Sequence, residues 1–335
     1  MAINVVGAGA IGCFVGGVLA ANGCRVTLLG RPWLAKDIAE NGLTVTTLDG
    51  QTQHVPADDI TLVMDAAALP PADATLICTK SDDTAAAAES LAQNMAQLGQ
   101  VYSLQNGLDN AEVIETIFRR AHPTTEPFVE PGMVAFNVVS PSPAHFAATT
   151  EGGIHLHDHE ACDNFARALV RAGLACERHP AMAPVQFAKL ILNLNNALNA
   201  LSGLPLKEQL AQRPWRLVLA ACMAEALQVG EAYGLKPARI IKAPFGLLPT
   251  ILRLPTFLFT RIAAQMMQVD PTARSSMADD FDRGRRPEID HLNGKIVALG
   301  QQVGRPTPVN AKVSKIVMAC FEGQQTRPVD PRSLL

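Results

Sequence analysis

The sequence predicts an α/β fold in the N-terminal half of the chain and an all-helical C-terminal half. Up to His179, short apolar runs alternate with helical patterns, as in the βαβ units of a parallel sheet. From Met182 onward, apolar residues recur at helical spacing and no strand pattern returns. The 335 residues match the length of two domains, and Pro180 marks a natural boundary because proline disfavours helix before it. We therefore predict domains over residues 1–180 and 181–335.

The first strand, Ile3 to Val6, runs directly into a motif with GxGxxG spacing. The motif consists of Gly7, Ala8, Gly9, Ala10, Ile11 and Gly12. A helix to Ala21 and a second strand, Arg25 to Leu29, follow it. Glycines permit a tight turn and close approach of the backbone, and the helix N-terminus offers free N–H groups to a pyrophosphate. This order of elements predicts a Rossmann-type dinucleotide-binding domain.

The residue that follows the second strand bears on the choice of cofactor. NAD-binding units usually place an acid there, for the ribose hydroxyls. This chain has Arg31 instead, between Gly30 and Pro32, and a fixed cation suits a 2′-phosphate. The pattern favours NADP(H) over NAD(H), and the alternative is a surface arginine with no role in cofactor binding.

Two further polar residues follow predicted strands. Lys80 comes after the strand 75–79, and Asn106 comes after the strand 101–104. Ligands of open α/β sheets bind at the carboxyl ends of the strands, so both residues are candidates for the site. The alternatives are a solvated loop lysine and an ordinary Asn-Gly turn.

Three later apolar runs predict antiparallel strands that complete the sheet. They span residues 132–139, 144–148 and 153–157. His155, His157 and His159 alternate, which places imidazoles on one strand face. No acid or cysteine cluster obviously completes a site, so we predict a surface strand and no metal. A helix over 161–172 and a strand over 175–178 close the domain.

The C-terminal half opens with a segment, 186–201, that contains no glycine, proline or acid and is predicted to be helical. Lys189, Asn193 and Asn196 stand at i, i+4 and i+7, on one face of this helix. Burying such a polar stripe costs free energy unless each group finds a partner. The stripe therefore either faces bulk water or lines a wet cleft.

Ser276 and Glu288 are the remaining candidates for the site. On one continuous helix they would be about 18 Å apart, whereas a break between Gly284 and Pro287 allows both to approach one ligand. Pro287 is well placed as the first residue of a helix. The alternatives are a capping box between Ser276 and Asp279 and a helix-dipole role for Glu288.

Composition excludes several classes of protein. A net charge of −3 with no basic block argues against nucleic-acid binding. Seven scattered cysteines without CxxC pairs indicate reduced thiols in a cytoplasmic protein. The apolar region 243–268 is interrupted by prolines and arginines, so we expect it to pack inside the protein or cover a cleft rather than span a membrane. The sequence is compatible with a homodimer and does not fix the oligomeric state.

Taken together, these motifs resemble the ketopantoate reductase (2-dehydropantoate 2-reductase) family. The resemblance covers residues 3 to about 320. It rests on the glycine motif, Arg31, Thr79-Lys80, Gln105-Asn106-Gly107, Lys189-Leu-x-x-Asn193, Ser275-Ser276-Met277 and Arg286-Pro-Glu288-Ile-Asp-x-x-Asn-Gly294. The glycine motif is unspecific, whereas the Lys189 segment together with Ser-Ser-Met and Glu-Ile-Asp is much more specific to the family.

The resemblance implies NADPH-dependent reduction of the C2 ketone of 2-dehydropantoate to pantoate, a step towards pantothenate, in a cleft between the two domains. It implies that Lys189 is the general acid, and that Glu288 pairs with it or holds the substrate hydroxyl. It further implies substrate contacts for Asn106, Asn193, Asn196 and Ser276, and cofactor contacts for Lys80, Arg31 and Asn106.

Two departures from the family pattern leave other functions open. The family commonly has an amide eight residues after the lysine, where this chain has Ala197, and a polar contact after Pro205, where it has Leu206. A short gap or an irregularity of the helix would bring Asn196 to the expected place. The alternatives are a reductase of another 2-oxo acid or an imine, and a non-catalytic NADPH-binding sensor.

Overall fold

The computed structural model describes residues 1–262 and 272–335. The chain divides into two compact units, Met1–Met182 and Ala183–Leu335. The first unit contains all the strands found in the described part of the chain, and the second is helical.

The first unit contains thirteen strands and five α-helices. The strands are β1 (Ala2–Val6), β2 (Arg25–Leu29), β3 (Leu43–Thr46), β4 (Thr52–Val55), β5 (Thr61–Val63), β6 (Ala74–Ile77), β7 (Gln100–Ser103), β8 (Val129–Pro131), β9 (Met133–Val134), β10 (Val138–Ser142), β11 (His145–Ala148), β12 (Ile154–His157) and β13 (Cys176–His179). The helices are α1 (Ala10–Ala21), α2 (Pro32–Asn41), α3 (Thr84–Ala92), α4 (Asn110–Ala121) and α5 (Asp163–Arg171).

The main sheet has six parallel strands in the order β5-β2-β1-β6-β7-β8. Strand β1 lies between β2 and β6, and its side chains from Ile3 to Val6 are buried. Successive strands run outward from β1 in one direction and from β6 in the other, so the order reverses between these two. Ligands of this architecture bind outside the carboxyl ends of the strands at that switch point. The predicted Rossmann-type fold is confirmed.

The later strands do not complete the main sheet as we expected. A four-stranded sheet has the order β10-β11-β3-β4, and a three-stranded sheet has the order β13-β12-β9. The run 132–139, expected to be one strand, is divided between them as β9 and β10. Nor is the pairing uniformly antiparallel, because β11 pairs with β3 and β12 pairs with β13 in parallel. An alternating apolar pattern records which face is buried but does not identify the partner strand.

The described residues of the second unit form eight α-helices. They are α6 (Ala183–Ser202), α7 (Leu206–Ala211), α8 (Arg213–Tyr233), α9 (Leu248–Arg253), α10 (Thr256–Ile262), α11 (Ser276–Asp282), α12 (Asn293–Gln302) and α13 (Pro308–Phe321). The all-helical expectation is confirmed for the described residues. None of these helices, nor any in the first unit, is long and apolar enough to cross a membrane.

The apolar region 243–268 is described up to Ile262, and residues 263–268 lie outside the described part. Leu248 and Leu252 of α9 are buried, as expected for a segment that packs inside the protein. Phe257 of α10 is 72% exposed. The region is held by the buried Arg216, which donates to the carbonyls of Leu252 and Leu254 at 3.2 and 3.0 Å.

Candidate functional site

The glycine turn lies at the switch point of the main sheet, directly after β1. Gly7 has φ +94°, and a Cβ there would lie 2.5 Å from the backbone nitrogen of Thr79. A Cβ on Gly12 would lie 2.4 Å from the carbonyl oxygen of Gly7. Because no side chain fits at either place, these two glycines let the turn pack against the end of β6.

Gly9 differs from the other two glycines because its surroundings are open. Apart from Gly9 and its two neighbours in the chain, no heavy atom of the described residues lies within 4 Å of the position that its Cβ would occupy. Gly9 is also the N-cap of α1, where no side chain caps the helix. The N–H groups of the first turn therefore lack intrahelical acceptors and face open space. This arrangement fits a pyrophosphate, with Ala8, Ala10 and Ile11 supplying neighbouring backbone.

Arg31 is exposed at the N-cap of α2, immediately beyond β2. The preceding residue, Gly30, lies beside the glycine turn, because a Cβ on Gly30 would lie 3.1 Å from the Cβ of Ala8. Ala8 in turn donates its N–H to the carbonyl of Leu29 at 3.2 Å. Arg31 is therefore positioned next to the turn, with a guanidinium accessible to a ligand bound there.

Lys80 and Asn106 follow β6 and β7, and hydrogen bonds connect the two loops. Ser81 donates its Oγ hydrogen to the carbonyl of Asn106 at 3.0 Å. Asn110 Nδ2 donates to the same carbonyl at 2.6 Å. Asn106 itself is exposed. The structure thus brings both residues to one edge of the sheet, and their roles towards a ligand stay predictions.

Sequence reasoning missed the group that holds these loops together. Gln105 is buried, and its Nε2 donates to the carbonyl of Thr79 at 3.0 Å and to Thr84 Oγ1 at 2.7 Å. Ser103 donates its Oγ hydrogen to Gln105 Oε1 at 2.9 Å. A buried glutamine beside an Asn-Gly turn could have been noticed, since buried amides need several partners.

In the second unit, α6 presents the predicted stripe. Burial removes water from the ammonium group of Lys189 and lowers its pKa from 10.5 to about 8. Asn193 is only 9% exposed, and Lys189 and Asn196 are partly buried. The alternative that the stripe faces bulk water is therefore wrong. A cation with a lowered pKa is a competent proton donor near neutral pH.

Helix α6 is continuous from Ala183 to Ser202, so the irregularity we considered is absent. On a continuous helix, Asn196 lies closer than position 197 to the face that carries Lys189. A residue seven positions after Lys189 is displaced only about 20° around a helix, whereas one eight positions after it is displaced about 80°. Ala197 is fully buried in the core, while Asn196 lies on the less buried side with Lys189.

The alternative of a capping box between Ser276 and Asp279 is wrong. The N-cap of α11 is Ser275, whose Oγ accepts from the N–H of Ala278 at 3.2 Å. Ser275 also donates its Oγ hydrogen to the carbonyl of Asn196 at 3.0 Å, and its N–H donates to Asn199 Oδ1 at 2.9 Å. Ser276 is left exposed as the first residue of α11. The start of α11 is thereby attached to α6 by Asn199, a residue that sequence reasoning did not single out.

Glu288 lies after the expected break. Gly284 has φ +62° and α11 ends at Asp282. Pro287 does not begin a helix, because the next element is a 3₁₀ turn over Ile289–His291 with Glu288 as its N-cap. The prediction that Pro287 begins a helix is therefore wrong, and Glu288 precedes a 3₁₀ turn rather than lying in the first turn of an α-helix. Glu288 is partly buried, and its proposed roles stay predictions.

The expectation of a surface strand for the histidines is also wrong. Ile154, His155 and Leu156 of β12 are buried. His159 lies beyond the strand and caps a 3₁₀ turn instead. The missing acid is Glu177 on the adjacent strand β13, which local sequence spacing could not reveal.

The Rossmann-type fold with its glycine turn defines a dinucleotide-binding protein, and a lysine of lowered pKa suits a reductase of that class. Comparison with known families gives the particular identity. The family described as ketopantoate reductase PanE/ApbA matches residues 3–161, and its C-terminal counterpart matches residues 181–320. The chain belongs to the ketopantoate reductase family and is an oxidoreductase.

Individual relatives agree with this assignment. The 2-dehydropantoate 2-reductase of Halobacterium salinarum is 27% identical, over 95% of this chain and 98% of that protein. The enzyme of the same name from Pyrococcus horikoshii is 29% identical, over 95% and 97%. Both matches therefore cover almost all of this chain and almost all of the relative.

Solved structures show the same fold over nearly the whole chain. A ketopantoate reductase of the PanE/ApbA family from Ralstonia eutropha JMP134 superimposes with a TM-score of 0.80 at 31% identity, covering 97% of this chain and all of that one. A D-mandelate dehydrogenase bound to NADH and anilino(oxo)acetate has a TM-score of 0.79 at 19% identity, covering 96% and 99%. The second likeness shows the fold alone.

Proposed function

We propose that this protein reduces the C2 ketone of 2-dehydropantoate to the hydroxyl of pantoate, with NADPH as the reductant. Relatives named 2-dehydropantoate 2-reductase, which align over almost the entire chain, support the substrate. The observation that carries the proposal is the lysine of α6, because burial lowers the pKa of Lys189 to about 8. Ketone reduction consumes a proton, and this group is suited to donate it.

The proposed mechanism assigns the proton to Lys189. When bound, NADPH supplies the hydride that adds to C2. The Lys189 ammonium donates a proton to the ketone oxygen, on which negative charge develops, and leaves a neutral amine that solvent reprotonates. A pKa of about 8 keeps the group mainly charged at neutral pH while making it a better donor than an exposed lysine.

The other polar residues bind and orient the substrate in this proposal. Glu288 pairs with the Lys189 ammonium or accepts from the substrate hydroxyl. Asn106, Asn193 and Asn196 supply amide hydrogen bonds. The exposed Ser276 binds the substrate carboxylate, supported by its position at the start of α11.

The cofactor proposal rests on Arg31 and Lys80. The exposed Arg31 after β2 and the partly buried Lys80 after β6 are cations suited to the 2′-phosphate that distinguishes NADPH from NADH. The glycine turn binds the pyrophosphate of either cofactor, so it does not discriminate between them.

A second candidate is a bulkier, more apolar 2-oxo acid. Ala197 is buried core where the family pattern has a polar side chain, and Leu206 stands where a polar contact is common. An apolar replacement removes a hydrogen bond to the substrate, which favours a substrate without a matching hydroxyl.

A panel of 2-oxo acids separates these candidates. NADPH oxidation is followed spectroscopically with 2-dehydropantoate, aliphatic 2-oxo acids and aromatic 2-oxo acids. We expect the highest kcat/KM for 2-dehydropantoate. A preference for aromatic acids would favour the second candidate, and NADPH binding without turnover of any acid would leave a non-catalytic sensor.

We also propose that the protein forms a homodimer. A structurally similar ketopantoate reductase from Staphylococcus aureus is described as dimeric, although that chain is only 13% identical. Light scattering of the purified protein should give twice the chain mass of 35.7 kDa. A mass of one chain at all concentrations would contradict this.

A further inference from the structure

The three-stranded sheet carries a cluster of metal-binding side chains on one face. In the parallel pairing of β12 with β13, His155 is opposite Glu177 and His157 is opposite His179. Residues two apart along a strand point to the same face. All four side chains therefore belong to one face of this sheet, on strands whose opposite face contributes Ile154 and Leu156 to the core.

Three of these residues converge. His155 Nδ1 lies 2.8 Å from His179 Nε2, so one imidazole donates a hydrogen to the other. A carboxylate oxygen of Glu177 lies 3.6 Å from His155 Nδ1 and 3.9 Å from His179 Nε2. The ligand atoms of all three lie within 4.8 Å of one another. Two imidazole nitrogens and one carboxylate oxygen thus surround a common point.

We propose that His155, His179 and Glu177 bind one divalent late transition-metal ion, of which Zn²⁺ is the best fit, with water completing the coordination. Imidazole and carboxylate are ordinary ligands of Zn²⁺. The set contains too few oxygen ligands for Mg²⁺ or Ca²⁺. No step of the proposed reduction requires this ion, so the inference is independent of the proposed function.

The site needs only a small adjustment to accept the ion. With Zn–N bonds of about 2.1 Å, two tetrahedral nitrogens are separated by about 3.4 Å, so the rings must part by roughly half an ångström. The shared hydrogen moves to the outer nitrogen of its ring, which leaves both facing nitrogens as electron-pair donors. The Glu177 side chain is 63% exposed and can rotate towards the ion, while His155 is 4% exposed and held in place.

The remaining histidine on this face is already engaged. His157 Nδ1 lies 3.1 Å from a carboxylate oxygen of Glu130, and its Nε2 lies 3.3 Å from the carbonyl of Pro180. Cys176 precedes Glu177 on β13, and its side chain therefore points to the opposite face. The ligand set is consequently nitrogen and oxygen without a thiolate.

Calorimetric titration of the chelator-treated full chain with Zn²⁺ tests the proposal. We expect one ion per chain. Glu177→Gln and His179→Asn each remove a direct ligand from a side chain that is not buried. Each should weaken binding by at least the ~10- to 100-fold that loss of an outer-shell partner costs. His145→Asn, at a histidine that contacts Thr46 in the four-stranded sheet, is the matched control and should bind Zn²⁺ as the wild type does.

Titration with Co²⁺ identifies the ligands. The proposal predicts weak visible bands without thiolate charge-transfer absorption, and the same spectrum for Cys176→Ser. Absence of Zn²⁺ binding, binding that His179→Asn leaves unchanged, or a thiolate band would each overturn the site. Circular dichroism checks that the variants remain folded, which makes a loss of binding attributable to the missing ligand.

Discussion

Lys189 sets the pH dependence expected of the reaction. Because burial lowers its pKa from 10.5 to about 8, the ammonium form that donates the proton is lost at a lower pH than in an exposed lysine. The rate of ketone reduction is therefore expected to be maximal below this pKa and to decline as the pH rises above it. An activity that declined only near the pKa of free lysine would mean that the proton comes from elsewhere.

We predict a plateau of kcat for ketone reduction below about pH 7 and a decline to about a tenth of the plateau at about pH 9, as expected for a single acid with this pKa. Initial rates at saturating substrate and NADPH measure the profile. Lys189→Arg is the informative comparison, because a guanidinium stays charged and should abolish the decline along with most of the activity. A wild-type profile that is flat to about pH 10 would contradict the assignment.

The proposed preference for NADPH depends on Arg31. Arg31→Ala should weaken NADPH binding by about tenfold or more, since a hydrogen bond to a charged group contributes about 1.5–3 kcal/mol. NADH binding should change little. Arg25→Ala, at the exposed opposite end of β2, is the control and should leave both affinities intact. Fluorescence titration measures all four values, and equal losses for the two cofactors in Arg31→Ala would remove the phosphate role.

Position 197 illustrates how far residue-level prediction reaches. Helical spacing correctly grouped Lys189, Asn193 and Asn196 on one face of α6. The same spacing, taken on a continuous helix, explains why Ala197 is core. The lowered pKa of Lys189 could not be predicted from helical spacing, because desolvation of the ammonium group depends on side chains from other helices.

At the scale of elements, the loops after β6 and β7 depend on Gln105. Gln105→Leu should lower the free energy of unfolding by about 2 kcal/mol or more, because it leaves buried partners such as Thr84 Oγ1 without their donor. It should also weaken NADPH binding by displacing Lys80. Urea denaturation measures the first effect, with Gln93→Leu at the exposed end of α3 as the control. Equal stability of the two variants would show that the amide does not hold the loops.

Elements were predicted correctly where residues within the segment determine its structure. Predictions failed where residues distant in sequence determine a helix cap or a strand pair. The helix over 186–201 and the break at Gly284 follow from residues within the segments themselves. The alternative cap at Ser276 was one residue too late, because Ser275 bonds to Asn196 and Asn199 of α6 as well as capping its own helix. Pairing of β12 with β13 is a similar case, since nothing near His155 in sequence indicates Glu177.

For the whole molecule, the proposed chemistry is divided between the two units. In this proposal the first unit supplies the glycine turn and cations suited to a dinucleotide, and the second unit supplies the proton donor. The fold class was predictable because GxGxxG follows the first strand directly and because strand patterns cease at Met182. The separation of the strands into three sheets could not be predicted, because long-range packing determines which strands pair.

The proposed role of Lys189 is tested most directly by the turnover of 2-dehydropantoate by Lys189→Ala, compared with Lys207→Ala at an exposed lysine of α7. NADPH oxidation at saturating substrate measures kcat, and fluorescence titration checks that both variants still bind NADPH. We expect a loss of ~100-fold or more for Lys189→Ala, as for removal of an acid catalyst, and wild-type turnover for Lys207→Ala. Near-normal turnover in Lys189→Ala would show that Lys189 is not the proton donor.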